Sequence, residues 1–422
     1  MGSMLYIKRI SDKELKRKLD SSGAVLIRGP KACGKTESAK QLSNSILNVD
    51  QDEQVSLLME NAPYRLLYGK TPRLIDEWQE QPKLWNYIRH EVDNRVRPAQ
   101  FILTGSANPE ESIKMHSGAG RFTTLDMRTM SWQELGFSSG KISMKSLFKG
   151  SKSNIDVLDK AVNLEFIIEK IIIGGFPGLL GKKLSQASYL NRGYIDLLSE
   201  VDMGRISNVK RDPVKIQNLL CSIARNTATI VNIKTLESDI RKKENNSLSR
   251  PSIYEYIDAL KRLMIIEEQP AWNTHIRSSA SLRKRSKYHF TDVSLSVAAI
   301  GADFDSLLND LNFVGFLFES LVTHDLRVYA QANDAKVYYY QDSYGLEVDA
   351  IVQKYNGDWI AFEIKLGTGQ IEEAARNLHK FALNLDKTKV KPPKSLNIIT
   401  GTGISYTRSD GINVISLASL GV

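Results

Sequence analysis

Eight consecutive residues near the start of the chain combine glycines, a lysine and a threonine at a spacing that can do chemistry. They are Gly29, Pro30, Lys31, Ala32, Cys33, Gly34, Lys35 and Thr36, which read G-x-x-x-x-G-K-T. An apolar run precedes them and a helix-permissive run follows, and this is the context of a phosphate-binding loop, whose backbone N–H groups surround the phosphates. Lys35 would then reach the β- and γ-phosphates of ATP, and the Thr36 hydroxyl would bind Mg²⁺. A chance match in a glycine-containing turn is the alternative.

Two adjacent carboxylates follow a second apolar run. Asp76 would lie at the tip of that strand and hold Mg²⁺ through water, while Glu77 would orient and activate the attacking water. A third apolar run, residues 101–103, ends in Thr104, and we expect its strand to lie between the other two. Thr104 could then touch the γ-phosphate or the water. Alternatively, it only opens a turn with Gly105.

Arg121 lies between the Thr104 strand and a predicted fifth strand. An arginine here could stabilise transition-state charge at the nucleotide of a neighbouring subunit, which implies a homo-oligomer. A solvated or ion-paired arginine is the alternative.

The C-terminal part contains a second group of acids with a lysine. A predicted hairpin turns at Asn356-Gly357 and carries Asp349 on one strand and Glu363 and Lys365 on the other. A three-residue loop at 356–358 would place Asp349 opposite Lys365, so that the apolar residues share one face and the three charged residues share the other.

Asp followed by Glu-x-Lys is the active-site pattern of restriction-endonuclease-like nucleases. In them the carboxylates bind Mg²⁺ and the lysine positions or activates water. Asp349, Glu363 and Lys365 would take these roles, and Glu319, on a predicted amphipathic helix, would be a further acid. The alternative is an ion-pair cluster left on the sheet.

The region from 212 to 272 reads as helices followed by an apolar strand. This order is the sequence form of a winged helix-turn-helix, whose second helix can lie in a DNA major groove. Such modules often mediate protein contacts instead. The densest basic run follows, and it would either track phosphates or form a solvated loop. It comprises Arg277, the candidate nucleic-acid contacts Arg283, Lys284 and Arg285, and Lys287.

Composition bounds the class of protein. The chain has 422 residues, enough for about two or three domains. Its net charge of +9 permits a nucleic-acid partner without requiring one. Cys33 and Cys221 make neither a disulfide framework nor a zinc site, so we expect a cytoplasmic location. No apolar run approaches the ~20 residues of a membrane span, so we expect no membrane partner.

Strands alternate with helices in the first part of the chain, which predicts a parallel α/β sheet. We assign residues 4–136 to this ATPase domain and set Met1 to Ser3 aside as a cloning remnant. Residues 137–154 are rich in Ser, Gly and Lys, and we interpret them as a polar linker or loop. Residues 155–272 form the helical and winged-helix region, and residues 273–422 form the C-terminal α/β domain.

With these residues assembled, the chain resembles a family of bacterial and archaeal AAA+-type ATPases. These proteins pair a phosphate-loop ATPase with a winged helix and a C-terminal restriction-endonuclease-like domain. The resemblance covers nearly the whole chain and implies ATP binding and Mg²⁺-dependent hydrolysis. The matching pieces are the loop at 29–36, Leu-Ile-Asp-Glu-Trp-Gln at 74–79, Leu-Thr-Gly-Ser at 103–106, Gly-Gly-Phe-Pro at 174–177, and Glu-Val-Asp … Glu-Ile-Lys at 347–349 and 363–365.

The resemblance supplies no substrate and leaves two interpretations open beyond a plain ATPase. One is an ATP-gated enzyme that processes DNA. The other is a nucleotide switch whose distal domains only bind protein or nucleic-acid partners. Mg²⁺-dependent cleavage by the purified protein would distinguish them.

Overall fold

The computed structural model describes residues 6–105, 118–150, 155–157, 162–205, 212–243, 248–273, 285–386 and 388–422. The chain divides into two compact units. The first unit comprises Met1–Thr129 with the short pieces Phe176–Gly178 and Lys261–Met264, and the second unit comprises Met130–Gly175, Leu179–Leu260 and Ile265–Val422.

The first unit is built on a parallel sheet. Its strands are β1 (Ala24–Arg28), β2 (Ser45–Asn48), β3 (Arg73–Asp76), β4 (Phe101–Thr104) and β5 (Phe122–Asp126), and its helices are α1 (Ser11–Ser21), α2 (Lys35–Lys40), α3 (Gln54–Asn61) and α4 (Leu84–Arg95). The strand order is β2-β3-β4-β1-β5, with all pairings parallel. Strands buried on both faces read as continuous apolar runs, and residues 24–27 are all buried. The predicted parallel α/β sheet is confirmed, and β4 lies between β1 and β3 as expected.

The second unit contains the remaining helices. They are α5 (Met144–Phe148), α6 (Leu164–Ile173), α7 (Leu184–Leu197), α8 (Met203–Arg205), α9 (Pro213–Arg225), α10 (Ile233–Lys243), α11 (Arg250–Arg262), α12 (Val293–Ile300), α13 (Phe304–Leu308), α14 (Leu311–Ala332) and α15 (Ile371–Asn384). Residues 174–178 separate α6 from α7, as their close-set glycines and proline predict.

The strands of the second unit form three sheets. They are β6 (Ile142–Ser143), β7 (Asp156–Val157), β8 (Ile266–Gln269), β9 (Lys287–Phe290), β10 (Ala335–Gln341), β11 (Glu347–Lys354), β12 (Trp359–Lys365), β13 (Leu396–Thr400), β14 (Ser405–Thr407), β15 (Asn413–Ser416) and β16 (Leu420–Gly421). Seven of them form a mixed sheet in the order β10-β11-β12-β13-β15-β14-β7. β8 pairs with β9, and β6 pairs with β16.

The stretch predicted as a polar linker, 137–154, is in part regular structure, so that prediction is wrong over residues 142–148. β6 and α5 lie there, and β6 pairs with β16 at the end of the described chain. Ile142, Met144 and Leu147 are buried, although they lie in a stretch rich in Ser, Gly and Lys. The long segment of the first unit ends at Thr129, whereas the predicted domain ends at 136, and the residues on both sides of 272 belong to the second unit.

The hairpin of β11 and β12 has the predicted loop length but a different register. Ala350 pairs with Phe362, which places Asp349 beside Glu363 rather than opposite Lys365. The loop begins one residue earlier than predicted, because the N–H of Lys354 donates to the carbonyl of Asp358. The two registers differ by two residues, so the side chains of Asp349, Glu363 and Lys365 still project to the same side.

No helix among the described residues is long and apolar enough to cross a membrane.

Candidate functional site

The phosphate-loop sequence lies between β1 and α2, at the carboxyl end of β1, the strand between β4 and β5. Two of its glycines are required by geometry. A Cβ at Gly29 would lie 2.2 Å from the carbonyl oxygen of Met127, and Gly34 has a φ of 102°. The loop therefore has the close packing and the left-handed turn that its glycine spacing predicts.

Lys35 is buried, and its ammonium group bonds to the loop itself. Nζ donates to the carbonyl oxygens of Gly29 at 2.9 Å and Pro30 at 2.8 Å. Among the described residues no carboxylate is bonded to this ammonium. A buried cation without an anionic partner is costly, so the loop is suited to an anion.

The first turn of α2 and the ends of β3 and β4 meet next to the loop. Asp76 pairs with Thr104 in the parallel register of these strands. The hydroxyl of Thr36 donates to Oδ1 of Asp76 at 2.9 Å, and the hydroxyl of Thr104 donates to the same oxygen. The structure thus brings together the three residues that the sequence predicted at the metal and γ-phosphate position.

This donor set fits Mg²⁺ bound together with a nucleotide. Mg²⁺ commonly takes one or two carboxylates and completes its shell with water and substrate phosphates. No group of three His, Cys, Asp or Glu side chains that could hold a metal ion exists in the part of the chain that the structure describes. One carboxylate, Asp76, beside the hydroxyl of Thr36 agrees with a metal that needs the phosphates as ligands.

Glu77 follows Asp76 in a left-handed backbone conformation, with φ 52° and ψ 43°. Such a conformation is uncommon outside glycine and often occurs at functional sites. Burial raises the pKa of the Glu77 carboxyl, against the lowering effects of a hydrogen bond from Gln79 and of the Lys35 charge. A half-buried acid of raised pKa beside the loop is suited to proton transfer.

Sequence reasoning missed two residues at this site. The amide nitrogen of Gln79 donates to Glu77, and its position two residues further on could have signalled this role. Arg9 is buried and donates through Nη1 to the carbonyl of Cys33 at 2.9 Å and through Nη2 to the carbonyl of Arg128 at 2.8 Å. No local pattern identifies Arg9, because its partners are distant in sequence.

Arg121 is far from the loop of its own chain. Its carbonyl accepts a hydrogen bond from Ala24 at the start of β1, whereas the loop follows the other end of that strand. A strand of this length spans about 16 Å. Its guanidinium Nε bonds to Asp93 at 2.7 Å, in a pair that is about two-fifths exposed. The structure shows the ion pair that the alternative interpretation expects, and a role of Arg121 at the nucleotide of a neighbouring subunit stays a prediction.

The C-terminal acids form a second polar cluster, within the second unit. Nζ of Lys365 lies 2.8 Å from Glu363 and 3.4 Å from Asp349. Glu319, on α14, bonds instead to Lys287 at 2.8 Å. Each acid predicted as a metal ligand is thus bonded to a lysine ammonium, so the arrangement does not fit a bound Mg²⁺ and matches the ion-pair alternative.

The basic run is only partly described. Arg277, Arg283 and Lys284 lie outside the described residues, and Arg285 is exposed. Lys287 is 2% exposed and bonds to acids of its own unit. The prediction that Lys287 tracks nucleic-acid phosphates is therefore wrong.

Three family models match successive parts of the chain. Residues 21–136 match an AAA domain. Residues 164–306 and 314–420 match two domains of unknown function, DUF8612 and DUF4143. The AAA match covers the parallel sheet and the loop described above, so the sequence and the sheet agree on a P-loop ATPase domain.

The relatives found are similar over most of the chain. An uncharacterized protein of Mycobacterium tuberculosis and one of Mycobacterium bovis are each 23% identical over 370 residues, which is 86% of this chain and 75% of theirs. A Walker-type ATPase of Pyrococcus abyssi is 13% identical, with a TM-score of 0.43, over 70% of this chain and 96% of that one. The Orc1 protein of Aeropyrum pernix, solved with DNA, is 12% identical, with a TM-score of 0.24, over 72% and 95%. TM-scores this low do not establish a shared fold.

Proposed function

We propose that the first unit binds ATP with Mg²⁺ and hydrolyses it. The observation that carries the proposal is the buried ammonium of Lys35, which bonds to two loop carbonyls and to no described carboxylate. The β- and γ-phosphates of ATP are the anion that this loop sequence accommodates. On binding, Lys35 would exchange the carbonyl oxygens for phosphate oxygens, and the loop N–H groups would share the charge.

Thr36 and Asp76 are the residues that would hold the metal ion. The hydroxyl of Thr36 already lies 2.9 Å from the Asp76 carboxylate, so the two can share one cation with little movement. Bound Mg²⁺ would supply positive charge against the phosphate oxygens. Thr104 donates to the same carboxylate oxygen and fixes its direction.

Glu77 is the residue that would activate water. It follows Asp76 directly, and its carboxylate is held by the amide of Gln79. The carboxylate would accept the proton of a water molecule that attacks the γ-phosphate. Because burial raises the pKa of Glu77, the carboxyl takes up this proton more readily than an exposed glutamate would.

Two substitutions test the proposal. Lys35→Ala should abolish ATP binding, whereas Glu77→Gln should keep binding and lower turnover by ~10²-fold or more. Lys40→Ala is the matched control, since Lys40 belongs to the same helix but is exposed and paired with Glu37. Equal ATP affinity in the Lys35 and Lys40 variants would exclude the loop as the nucleotide site.

A second candidate is a nucleotide-dependent switch whose second unit binds a partner. Two arrangements favour it. Helices α10 and α11 precede the antiparallel pair β8–β9, in the order of a winged helix, and α14, β10–β12, α15 and β13 succeed one another as in restriction-endonuclease-like domains. Glu319, Asp349 and Glu363 are each bonded to a lysine ammonium, which favours partner binding over DNA cleavage.

The switch is tested with DNA at low salt. Binding should weaken steeply as salt rises, because phosphate contacts release counterions. The charge-removing variant Arg283→Ala/Lys284→Ala/Arg285→Ala should weaken binding to all sequences alike. Absence of DNA and RNA binding would assign the region to protein partners, and Mg²⁺-dependent cleavage would restore the nuclease interpretation.

A further inference from the structure

We propose that Lys287 is a resident cation of the second cluster, so that the cluster binds no divalent metal ion while this lysine is present. We define the second cluster as Glu319, Glu347, Asp349 and Glu363 with Lys287 and Lys365. Removal of the Lys287 ammonium should convert part of it into a divalent-cation site. The inference concerns the second unit and is independent of ATP hydrolysis by the first.

Lys287 reaches the cluster from a strand outside the predicted nuclease pattern. It begins β9, and it and His289 alternate inward, so that both are buried. Nζ of Lys287 lies 2.8 Å from Oε1 of Glu319 and 2.5 Å from Oε1 of Glu347. The ring of Tyr339 lies 5.7 Å from the same nitrogen. The ammonium thus bridges carboxylates of α14 and β11.

The lysine remains charged in this position. Burial by itself would lower the pKa of Lys287, but the carboxylates of Glu319, Asp349 and Glu347 together raise it. Burial raises the pKa of Glu319, and the lysine acts against that rise. The ammonium is therefore stabilised by the carboxylates, and its charge partly offsets the effect of burial on the pKa of Glu319.

The neighbouring hydrogen bonds hold β9 in place. The amide nitrogen of Gln269 donates to the carbonyl oxygens of Tyr338 and Asp349, so its Oε1 accepts from Nε2 of His289 at 2.9 Å. Nδ1 of His289 then accepts from the hydroxyl of Ser320 at 3.1 Å. Burial lowers the pKa of His289 well below its usual range, so the imidazole is neutral. Because His289 is neutral, Lys287 is the cationic side chain among residues 287–290 of β9.

Lys365 fills the other half of the cluster in the same way. Its ammonium lies between Asp349 and Glu363, and the Asn377 amide donates to Glu363 at 2.6 Å. The N–H of Ile364 donates to Asp349 at 2.7 Å. Each ammonium bridges two carboxylates, so neither pair is left as an open set of ligands.

The test uses the full chain in an Asp76→Asn background without nucleotide, so that the phosphate-loop site lacks its carboxylate ligand. Mn²⁺ is the probe, and binding is measured by the paramagnetic resonance of free Mn²⁺ together with the thermal unfolding temperature. The parent should bind no Mn²⁺ and show no shift. Lys287→Ala should unfold at a lower temperature in EDTA, because it leaves two carboxylates unneutralised, and Mn²⁺ should raise that temperature by a few degrees.

Glu319→Gln added to Lys287→Ala is the matched control. The double variant should recover stability in EDTA and lose the Mn²⁺ response, since the buried carboxylate is gone. Lys287→Ala without any Mn²⁺ binding would overturn the proposal. So would Mn²⁺ binding by the parent that disappears in Asp349→Asn/Glu363→Gln, because the predicted metal site would then be real. This last measurement decides even if Lys287→Ala fails to fold.

Discussion

Arg9 offers the most informative test of how the phosphate loop is built. Its guanidinium fixes the carbonyl of Cys33, and in a planar trans peptide the N–H of Gly34 points the opposite way. Arg9 therefore sets the direction of one of the N–H groups that line the loop. We predict that Arg9→Met weakens ATP binding, although Arg9 lies outside the loop sequence at 29–36.

The expected size follows from the bonds that are lost. A hydrogen bond with a charged partner contributes ~1.5–3 kcal/mol. If the bond to Cys33 is what holds the loop in its binding conformation, its loss lowers the population of that conformation and raises the apparent dissociation constant by up to about 10- to 150-fold. Arg9→Lys can reach only one of the two carbonyls, so its loss should be intermediate.

The assay is equilibrium binding of ATP and of pyrophosphate, with thermal unfolding measured in parallel. Both ligands should lose the same factor, because the loop N–H groups bind phosphates and not the base. Arg65→Met is the matched control, since Arg65 is an exposed arginine of the same unit. A lower unfolding temperature with unchanged affinity for both ligands would show that Arg9 only stabilises the fold and would refute the reasoning.

Three further predictions concern residues around the two sites. Gln79→Ala should move the acid limb of the turnover–pH profile to higher pH. The hydrogen bond from Gln79 lowers the pKa of Glu77, so its loss lets that pKa rise and keeps the Glu77 carboxyl protonated over a wider pH range. An unmoved acid limb would remove Gln79 from this role. Arg121→Ala should lower turnover if the protein assembles and Arg121 acts at the nucleotide of a neighbouring subunit. In that case size-exclusion chromatography should show an oligomer, and the control Arg97→Ala, at an exposed arginine, should leave turnover unchanged. Lys365→Met should lower the unfolding temperature because Asp349 and Glu363 lose their shared cation, and Glu363→Gln in the same chain should restore part of it.

The sequence predicted which residues of the first unit come together, because they lie in short runs. The glycine spacing around Lys35, the acids at 76 and 77 and the strand end at Thr104 are each local, and parallel strands bring their carboxyl ends to one edge of the sheet. Arg9 could not be found this way. Its two partners are carbonyl groups at Cys33 and Arg128, and backbone carbonyls leave no mark in the sequence.

The second cluster shows where pattern reasoning fails. The side on which Asp349, Glu363 and Lys365 lie depends only on the two-residue period of strands, so it is predictable even though the register itself is two residues off. Charge density along the sequence places Lys287 in a basic run, because it depends only on sequence neighbours. Its alternation with His289 on a short strand is the one local hint that it points inward.

The position of Lys287 changes what the acids of the second unit can do. A carboxylate pair open to solvent can exchange protons, water and metal ions. A pair bridged by a buried ammonium is held in one geometry, because the free-energy cost of burying its charges is offset only by their pairing. Glu347 remains about one-third exposed, so the bridge ends at the surface while Glu319 lies inside. An ion that approaches from solvent would therefore meet Glu347 first and would have to displace the lysine to reach Glu319. For this reason, the metal response of the Lys287→Ala variant, more than any nuclease assay, discriminates a catalytic cluster from a structural one.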